Sequence, residues 1–482
     1  MNTPPVLHLL GRLIALFGLL PLAPAALGAL EGSEVWPYLF TAGLMLFVGA
    51  GLAAATAGQP APDRRGVWLF VALAWLLLPL FAALPFALSG AAPAPVDALF
   101  EAYSGLTTTG ASIFAQVDPL PRPLILWRAA LSWAGGLLGV VLLFTFLLPT
   151  GVGGLTLARN AVPGGDERSL DGRFWQMLRA VGWVYALLTL LCAAALSAFG
   201  LPVFDALCLA LSALSTGGFL PNDAGIAGYR NLAGELVLML FMLAGSVNLT
   251  LHWGLAQGRG RDFLRDSEVR YLLQALTALA VVFFFWFWLV RDAPPLETLR
   301  TVAFTLVSML STTGIDNGGG SGEGALLFSP IVLIGLVLVG GGLGSTTGGL
   351  KLIRLSILFK QSQRELTRLS FPHAIANIRS GTRPVSDHIT RQIWAMFFAF
   401  VLVLSLTAVV LAIEGVAPVS AIAAGVAALT NAGPALGQID PGGALWWDFS
   451  ALSKLVLMLG MVLGRLELLA LLMLLNPGYW RG

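Results

Sequence analysis

The stretch "TTTGASI" at residues 107–113 places three hydroxyl side chains and a glycine at the end of an apolar segment. Related stretches recur three times: "STGGF" at 215–219, "STTGI" at 311–315 and "TNAGPALG" at 430–437. Each of the four closes a short semi-polar run that opens near a proline. The runs are 95–109, 203–217, 295–313 and 417–432. Because proline fits the first helical turn and glycine lets the backbone leave helical geometry, the pattern predicts four half-helices that enter a membrane, turn and return.

The composition is that of a membrane protein. Apolar residues make up 57% of the 482 residues and charged residues only 11%, whereas about a quarter of a soluble domain is charged. A run of roughly 20 apolar residues is long enough to cross a bilayer as a helix. We predict ten crossings, approximately at 6–30, 35–57, 67–89, 124–148, 176–199, 232–255, 271–290, 327–355, 392–413 and 451–475. The lipid bilayer is therefore the expected surroundings, and a net charge of only +2 gives no reason to expect a nucleic-acid partner.

The glycine loops divide the chain into tandem repeats. Their candidate glycines are Gly110, Gly218, Gly314 and Gly433, and the spacing of roughly a hundred residues indicates a repeat of whole membrane modules. We expect an all-α membrane protein with four tandem helix–pore loop–helix modules around one central pore, plus two extra N-terminal transmembrane helices. The predicted segments are 1–60 for the extra pair and 61–160, 161–258, 259–370 and 371–482 for the four modules.

The distribution of charge predicts the orientation in the membrane. Arginine and lysine are concentrated in the connections 58–66, 149–175, 256–270 and 356–391, whereas the other connections lean acidic. Positively charged connections tend to stay in the cytoplasm. We therefore expect both termini to be cytoplasmic and the four half-helices to enter from the opposite side.

Backbone polarity predicts that the four loops meet. Irregular backbone survives at membrane depth only where protein or a water-filled path lines it, so four such loops require a common axis. Carbonyls and threonine hydroxyls there can replace the hydration shell of a cation, which the partly negative C-terminal ends of the half-helices also favour. Since the core motifs contain no carboxylate, a monovalent cation such as potassium is expected rather than a divalent one. The candidate ion-binding residues are Thr108, Thr109, Gly110, Thr216, Gly217, Gly218, Thr312, Thr313, Gly314, Asn431, Ala432 and Gly433.

Other interpretations of these motifs stay open. One Ser/Thr/Gly stretch alone favours close helix packing in membranes, whereas four copies at equivalent places favour a pore. A secondary cation transporter that alternates access and couples to protons or sodium also uses repeats and discontinuous helices. An intramembrane protease is suggested only by "GGSG" at 319–322, which lies in a predicted outer connection. We therefore do not expect an enzyme.

Six ordered motifs resemble one family. The loops "SGLTTTGAS", "SALSTGGF", "STTG" and "NAGP" are similar to the filter loops of the Trk/Ktr/HKT superfamily of potassium-uptake proteins. "GGGLGSTTGGLKLIR" at 340–354 and "GMVLGRLELLALLMLLNPGYWR" at 460–481 resemble the bacterial TrkH branch most closely. The resemblance implies potassium as the transported ion at the filter residues, a homodimer, and a cytosolic nucleotide-binding regulatory ring of the TrkA type. It also implies a bacterial cytoplasmic membrane location and no cofactor bound by this chain.

The segment "GGGLGSTTGGLK" at 340–351 interrupts the eighth apolar run. Its glycines each disfavour a helix by about 1 kcal/mol, which indicates either a closely packed kink or, as the resemblance implies, a flexible gate beneath the filter. Arg465 lies inside the last run, where an ionisable residue usually faces a cavity or a partner. It is expected either to pair with Glu467 or loop carbonyls, or to hold the gate. The candidate gate residues are Gly340, Gly341, Gly342, Gly344, Ser345, Thr346, Thr347, Gly348, Gly349, Lys351 and Arg465.

Two further residues carry expectations. Ile315 follows the third loop glycine, where the family resemblance leads us to expect an aromatic residue. This departure predicts weaker support of the third loop and a lower preference for potassium over sodium. Lys454 lies near the outer end of the last apolar run and is expected to extend its charge toward the membrane surface, with a role near the mouth of the filter as the alternative.

Overall fold

A computed structural model describes residues 3–59, 62–148, 170–290, 294–318, 328–371, 378–380 and 383–466. The fold is all-α, as predicted. Within these ranges the strands are limited to a two-stranded antiparallel hairpin of β1 (Arg379–Ser380) and β2 (Arg383–Pro384). Three sequence features lie outside the described residues: "GGSG" at 319–322, most of the connection 149–175, and the last motif beyond Leu466, including Glu467.

Three helices form the predicted N-terminal pair of crossings. Helices α1 (Pro4–Phe17) and α2 (Leu22–Glu31) make up the first crossing, and α3 (Trp36–Ala55) makes up the second. Helices α1 and α3 pack at very short range through Gly11 and Gly49. A Cβ atom built on either glycine would lie 2.7 Å from the carbonyl oxygen of the other. Small residues of this kind let membrane helices approach closely, so the pair forms one packed unit.

The remaining helices repeat one order of elements four times. The first repeat contains α4 (Arg64–Ala82), α5 (Leu84–Leu88), α6 (Pro95–Leu106), α7 (Arg122–Leu142) and a π-helical turn (Leu143–Leu147). The second contains α8 (Leu170–Ala198), α9 (Val203–Ser215), α10 (Gly225–Tyr229), α11 (Leu232–Ser246) and α12 (Leu249–Ala256). The third contains α13 (Gly260–Arg265), α14 (Ser267–Val290), α15 (Pro295–Leu310), α16 (Pro330–Val339) and α17 (Leu352–Ser370). The fourth contains α18 (Asp387–Ile413), α19 (Pro418–Leu429), α20 (Ala435–Ile439) and α21 (Ala451–Arg465). The predicted boundaries of the five segments of the chain stay a prediction.

The four predicted half-helices are α6, α9, α15 and α19. A proline occupies the first turn of α6, α15 and α19 and the N-cap of α9, where its missing N–H costs nothing because that donor has no helical partner. Each helix ends two or three residues before the predicted boundary. The hydroxyl and glycine residues that close the four runs lie in the loops after these helices, except Ser215, which is the last residue of α9.

Within the described residues, not every predicted crossing is one continuous helix. Among the described residues, seven helical segments are long and apolar enough to span a membrane, and an eighth candidate is bent by 102° between α11 and α12. The run 232–255, predicted as one crossing, is therefore a bent pair of helices. The bend has a physical cause, because Asn248 caps α12 by accepting a hydrogen bond from the Thr250 N–H at 2.9 Å. The eighth predicted span is likewise split into α16 and α17 by the glycine-rich segment, and the tenth is described only to Leu466.

The spans differ in how much of their surface the protein covers. In an 18-residue apolar stretch of the span Arg122–Leu147, 78% of the residues are buried. In the corresponding stretch of Ser267–Val290, only 6% are buried. Helix α7 therefore lies inside the bundle and α14 lies at its edge. The C-terminal parts of the half-helices and the loop motifs that follow them are buried, which keeps their non-helical backbone away from lipid.

Candidate ion pathway

The four loops leave their half-helices through the same backbone conformation. At the second residue of each [ST]-[TN]-x-G motif, φ lies in the left-handed region. These residues are Thr108 (58°), Thr216 (53°), Thr312 (56°) and Asn431 (53°). This conformation is rare for residues other than glycine and unusual for β-branched threonine, and it costs on the order of 1–3 kcal/mol at each position. Because all four loops adopt this conformation, the surrounding structure must stabilise it in each loop.

Two backbone hydrogen bonds close each helix end. In the first loop, the N–H of Thr109 donates to the Ser104 carbonyl at 2.8 Å, and the N–H of Thr108 donates to the Gly105 carbonyl at 2.9 Å. The same pair of bonds occurs at equivalent positions in the other three loops. This is the Schellman motif, which satisfies the last carbonyls of a helix and normally uses glycine at the left-handed position. Here a threonine or asparagine occupies that position, two residues before the loop glycine.

The sequence alone predicts this reversal at the glycines. Gly110, Gly218 and Gly314 do have positive φ values of 73–75°, but Gly433 does not, and all four come after the first reversal. The signal that identifies the reversing residues is the alignment of the four motifs, which places Thr, Thr, Thr and Asn at the same position.

The hydroxyl of the first residue in each motif donates a hydrogen bond to a backbone carbonyl of its own half-helix. Thr107 donates to the Tyr103 carbonyl at 2.6 Å and Ser311 to the Ser308 carbonyl at 3.1 Å, and Ser215 and Thr430 make equivalent bonds. In the first and third loops, the hydroxyls of the third motif residues pair with these groups. The two bonds are Thr107–Thr109 and Ser311–Thr313, both at 2.8 Å. Backbone carbonyls are therefore the main oxygens that the loops present toward one another.

The four loops form a closed ring. A Cβ atom on each motif glycine would collide with backbone of the next loop in cyclic order. The contacts are Gly110 with Gly217, Gly218 with Thr313, Gly314 with Ala435, and Gly433 with Ala111. The N–H of Gly433 also donates to the Thr109 carbonyl at 2.5 Å, which joins the fourth loop to the first. The second and third residues of each motif are buried. The structure therefore brings all four predicted loops together, away from lipid.

Side chains of the fourth repeat support two carbonyls of the ring. Gln438 Nε2 donates to the Gly314 carbonyl at 2.6 Å, and Trp446 Nε1 donates to the Gly433 carbonyl at 3.1 Å. Since a carbonyl oxygen has two lone pairs, each of these groups keeps one acceptor site.

The third loop is packed as tightly as its neighbours. Ile315 is 2% exposed and belongs to an apolar cluster with Phe304 and Val307. The Ser308 hydroxyl donates to the Ile315 carbonyl at 2.6 Å. An aliphatic side chain therefore fills the place where we expected an aromatic one, and the effect of this difference on ion preference stays a prediction.

Three charged pairs surround the ring. Arg128 and Glu101 lie 2.6 Å apart and are both buried; Arg300 and Glu235 lie 2.5 Å apart with the arginine partly exposed. Lys454 donates to Asp97 at 2.7 Å, and its side chain is 8% exposed. The expectation that Lys454 extends to the membrane surface is therefore wrong, because a buried carboxylate on α6 compensates its charge. None of these three pairs was predicted from the sequence.

The connection that follows the second loop carries a smaller polar cluster. Tyr229, in the connection between α9 and α11, donates to Asp205 Oδ2 at 2.7 Å and accepts from Asn222 Nδ2 at 2.5 Å. Burial, together with the neighbouring Asp205 carboxylate, raises the pKa of the Tyr229 hydroxyl above its ordinary range. The tyrosine therefore stays a neutral donor that ties Asn222, close to the second loop, to α9.

The glycine-rich segment lies against the ring and contacts three of its loops. Thr346 Oγ1 donates to the Leu214 carbonyl at 3.0 Å, at the end of the second half-helix. The N–H of Gly348 donates to Thr312 Oγ1 at 2.9 Å, and a Cβ atom on Gly348 would collide with the Thr430 carbonyl. Of the candidate gate residues, Gly340, Gly341, Gly342, Gly344, Ser345, Thr346, Thr347, Gly348 and Lys351 are buried, and Gly349 and Arg465 are half-buried.

Three charged side chains hold this segment. Arg465 Nη1 donates to the carbonyls of Thr346 and Thr347, at 2.6 and 3.2 Å. Lys351 Nζ donates to the Thr347 carbonyl and to its hydroxyl, the latter at 3.0 Å, while Glu268 Oε2 accepts from the Leu343 N–H at 2.7 Å. Of the arrangements that the sequence left open for Arg465, the described residues show the bonds to loop carbonyls.

The bend between α11 and α12 belongs to the same arrangement. The carbonyl of Ser246 accepts from the Gly342 N–H at 2.8 Å, and the carbonyl of Gly245 accepts from the Thr346 N–H at 3.1 Å. The N–H of Leu249 donates to the Gly344 carbonyl at 3.2 Å. Backbone groups that a straight helix would satisfy internally are thus satisfied by the glycine-rich segment.

The family model described as "TrkH: Cation transport protein" matches residues 41–477. The chain belongs to the TrkH family. Similar curated members include the Trk system potassium uptake protein TrkH of Halomonas elongata, 36% identical over 489 residues, and that of Vibrio parahaemolyticus, 32% identical over 493 residues. Both alignments cover 100% of each chain.

A solved structure gives the same result for the fold. The crystal structure of the potassium transporter TrkH from Vibrio parahaemolyticus matches with a TM-score of 0.89 and 31% identity, over 100% of both chains. The recognition of the superfamily and its TrkH branch from sequence motifs is confirmed. As predicted, the chain belongs to a family of multi-pass membrane transport proteins and not of enzymes.

Proposed function

We propose that this TrkH-family chain is the pore-forming membrane subunit of a potassium uptake system. The observation that carries the proposal is the closed ring of four buried loops, each following the C-terminal end of a half-helix. The related proteins are named as potassium uptake proteins of Trk systems, which supports potassium as the transported substrate.

The chemistry of the ring suits a weakly hydrated monovalent cation. The C-terminal end of a helix carries roughly half a negative charge, and four such ends converge on the loops. Carbonyl oxygens in a ring replace the hydration shell of the ion, whereas a divalent ion usually needs carboxylate ligands to offset its dehydration. The four motifs contain none. We assign potassium contact to the residues 108–110, 216–218, 312–314 and 431–433.

We assign the role of a gate to the glycine-rich segment. It contacts three of the four loops, and three charged side chains anchor it. Its glycines permit a change of backbone conformation at low steric cost, and such irregular backbone is tolerated where it lines a path. Shortening the segment between Gly341 and Gly348 should increase potassium flux, measured as uptake into vesicles that contain the folded variant. An unchanged flux would contradict the gate.

The assembly and orientation follow from the resemblance and from charge. We propose a homodimer in a bacterial cytoplasmic membrane with both termini in the cytoplasm, in agreement with the basic connection 356–391. A cytosolic nucleotide-binding ring of the TrkA type would dock on that side and act on the gate. The chain itself needs no cofactor in this mechanism.

An alternating-access transporter coupled to protons or sodium is the second candidate. The broken pair α11–α12 is the observation that favours it, since discontinuous helices are common in secondary transporters. However, the backbone groups freed at this break bind the glycine-rich segment. The break therefore fits a gated pore with four repeats around one axis better than two rocking halves.

One experiment separates these functions. The chain is expressed in a bacterial strain that lacks its own potassium uptake, with and without a TrkA-type partner, and growth is measured at low external potassium. Reversal potentials and single-channel currents of the purified protein are then recorded in mixed potassium and sodium. We expect growth rescue and unitary currents that favour potassium. Rescue without unitary currents would favour the alternating-access candidate. The absence of both growth rescue and unitary currents would contradict the proposal of potassium uptake.

A further inference from the structure

We infer that the buried pair Glu101–Arg128 positions the first two loops of the ring and thereby sets the preference for potassium over sodium. The inference rests on the proposed function, in which the ring is the ion path. Glu101 lies on the half-helix α6 and is 0% exposed, and Arg128 lies on α7 and is 2% exposed. Arg128 Nε lies 2.6 Å from Glu101 Oε1. Neither residue belongs to the loop motifs.

The pair fixes the first loop directly after its glycine. Glu101 Oε2 accepts a hydrogen bond from the Ile113 N–H at 3.0 Å, and Glu101 Oε1 accepts one from the Ser112 hydroxyl at 3.3 Å. Arg128 Nη2 lies 2.8 Å from the same hydroxyl oxygen. Two charged side chains therefore hold the segment that leads away from Gly110, through three contacts of defined direction.

The same arginine reaches the second loop. Its guanidinium carbon lies 4.4 Å from the centre of the Phe219 ring, and Phe219 follows Gly218 in the second loop. A guanidinium group over an aromatic face is attracted by the negative charge density of that face. Since Gly110 already touches Gly217, Arg128 connects the two loops on the outside of the place where they meet.

This use of charge has a physical reason. A buried ion pair contributes little net stability compared with apolar side chains of similar size, but the loss of one partner leaves an uncompensated charge. Its hydrogen bonds are directional and hold distances that apolar contacts would leave variable. Discrimination between two alkali ions depends on the number, spacing and rigidity of the coordinating carbonyls. A pair that fixes two neighbouring loops is therefore suited to selectivity more than to stability.

The chain offers a matched control on the same helix. Arg122, at the start of α7, pairs with Glu31 at 3.2 Å, but its side chain is 63% exposed. An exposed pair of this kind contributes little. Arg122→Gln therefore removes the same charge from the same helix without touching the ring.

The test compares full-length Arg128→Lys, Glu101→Gln, Glu101→Gln/Arg128→Gln and Arg122→Gln with the unmodified chain, all reconstituted in vesicles. Reversal potentials in mixed potassium and sodium give the permeability ratio, and size-exclusion profiles give the folded fraction. We expect the permeability ratio of potassium to sodium to fall about fivefold or more in the double variant. A factor of about five is the low end of the effects that coupled sites in proteins have on one another. Arg128→Lys keeps the charge but not the planar fork, so we expect an intermediate ratio, and Arg122→Gln should keep the original one.

The double variant decides between positioning and simple stability. It carries no uncompensated buried charge, so a purely structural role predicts that it folds and conducts with the original ratio. That result would overturn the inference and leave the proposed function intact. An unmodified chain without potassium-selective current would overturn the proposed function and the inference with it.

Discussion

Thr312 in the third loop accepts a hydrogen bond from the backbone N–H of Gly348 in the glycine-rich segment, at 2.9 Å. Both residues are buried. Thr312 is also the residue that reverses the chain at the end of α15, with φ of 56°. One side chain therefore joins the ring to the segment beneath it, at the residue whose backbone is already held in an unfavourable conformation.

Replacement of Thr312 by valine should loosen the gate. Valine keeps the β-branched shape and the backbone strain but leaves the Gly348 N–H without its acceptor, which costs about 1–3 kcal/mol for a buried donor. This cost falls on the closed arrangement. We expect potassium flux without the regulator to rise roughly tenfold, since about 1.4 kcal/mol corresponds to that factor. The measurement is the initial rate of uptake into vesicles.

Thr312→Ser is the control for this substitution, because serine keeps the hydroxyl acceptor and removes only a methyl group. Its flux should stay near that of the unmodified chain. Equal flux in the valine and serine variants would mean that the bond to Gly348 does not hold the gate closed.

Arg465 should restrain the same segment from the opposite side. Its guanidinium donates to the carbonyls of Thr346 and Thr347, and a hydrogen bond from a charged donor contributes about 1.5–3 kcal/mol. Arg465→Gln removes the charge from the path and at least one of these bonds. We expect a larger flux increase than for Thr312→Val, with the selectivity ratio unchanged. Single-channel open probability is the appropriate measurement, and a decrease would show that the arginine supports conduction instead.

Gly314→Ser should lower the preference for potassium over sodium. Gly314 has φ of 73°, and a Cβ atom there would lie 2.7 Å from the backbone nitrogen of Ala435, so the third and fourth loops must separate. Gly335→Ser is a matched control in the same repeat, because nothing lies within 4 Å of a Cβ atom at that position. Reversal potentials should shift toward sodium only in the Gly314 variant. A shared shift, or none in either, would remove the third loop from the filter.

The sequence was sufficient for the architecture because the strongest signals are local. Proline at the start of α6, hydroxyl and glycine residues at its end, and apolar runs of membrane length each act within one element. The four loops were predictable as a group because irregular backbone has to be buried in a membrane. The reversal at Thr108 was missed, because intrinsic preference assigns that conformation to glycine and tertiary contacts override the preference here.

Features that depend on partners far apart in the chain were not predictable in the same way. Lys454 was expected at the membrane surface, but it pairs with Asp97, which lies 357 positions away. Likewise, the run 232–255 reads as one apolar span, but the backbone groups freed at its bend form hydrogen bonds with residues 342–346. The sequence pattern shows that a buried charge or a freed backbone group needs a partner, but it does not show which residue that partner is.

The pair Lys454–Asp97 leads to a prediction about stability. The Lys454 side chain is 8% exposed and that of Asp97 11%, and the two charged atoms lie 2.7 Å apart. Lys454→Met leaves the carboxylate buried without its partner, which typically costs about 3–5 kcal/mol. We expect a clear drop in the thermal unfolding midpoint in detergent. Lys454→Met/Asp97→Asn should recover most of it, since no buried charge remains.

The exposed pair Arg368–Glu365 provides the comparison, because its side chains are 47% and 51% exposed and such pairs contribute about 1 kcal/mol or less. Arg368→Gln should therefore leave the midpoint nearly unchanged. If Lys454→Met unfolds at the temperature of the unmodified chain, water must reach Asp97 and screen its charge. The pair would then lie at the wet mouth of the path rather than in the packed interior, and its lysine would act on approaching cations instead of on the fold.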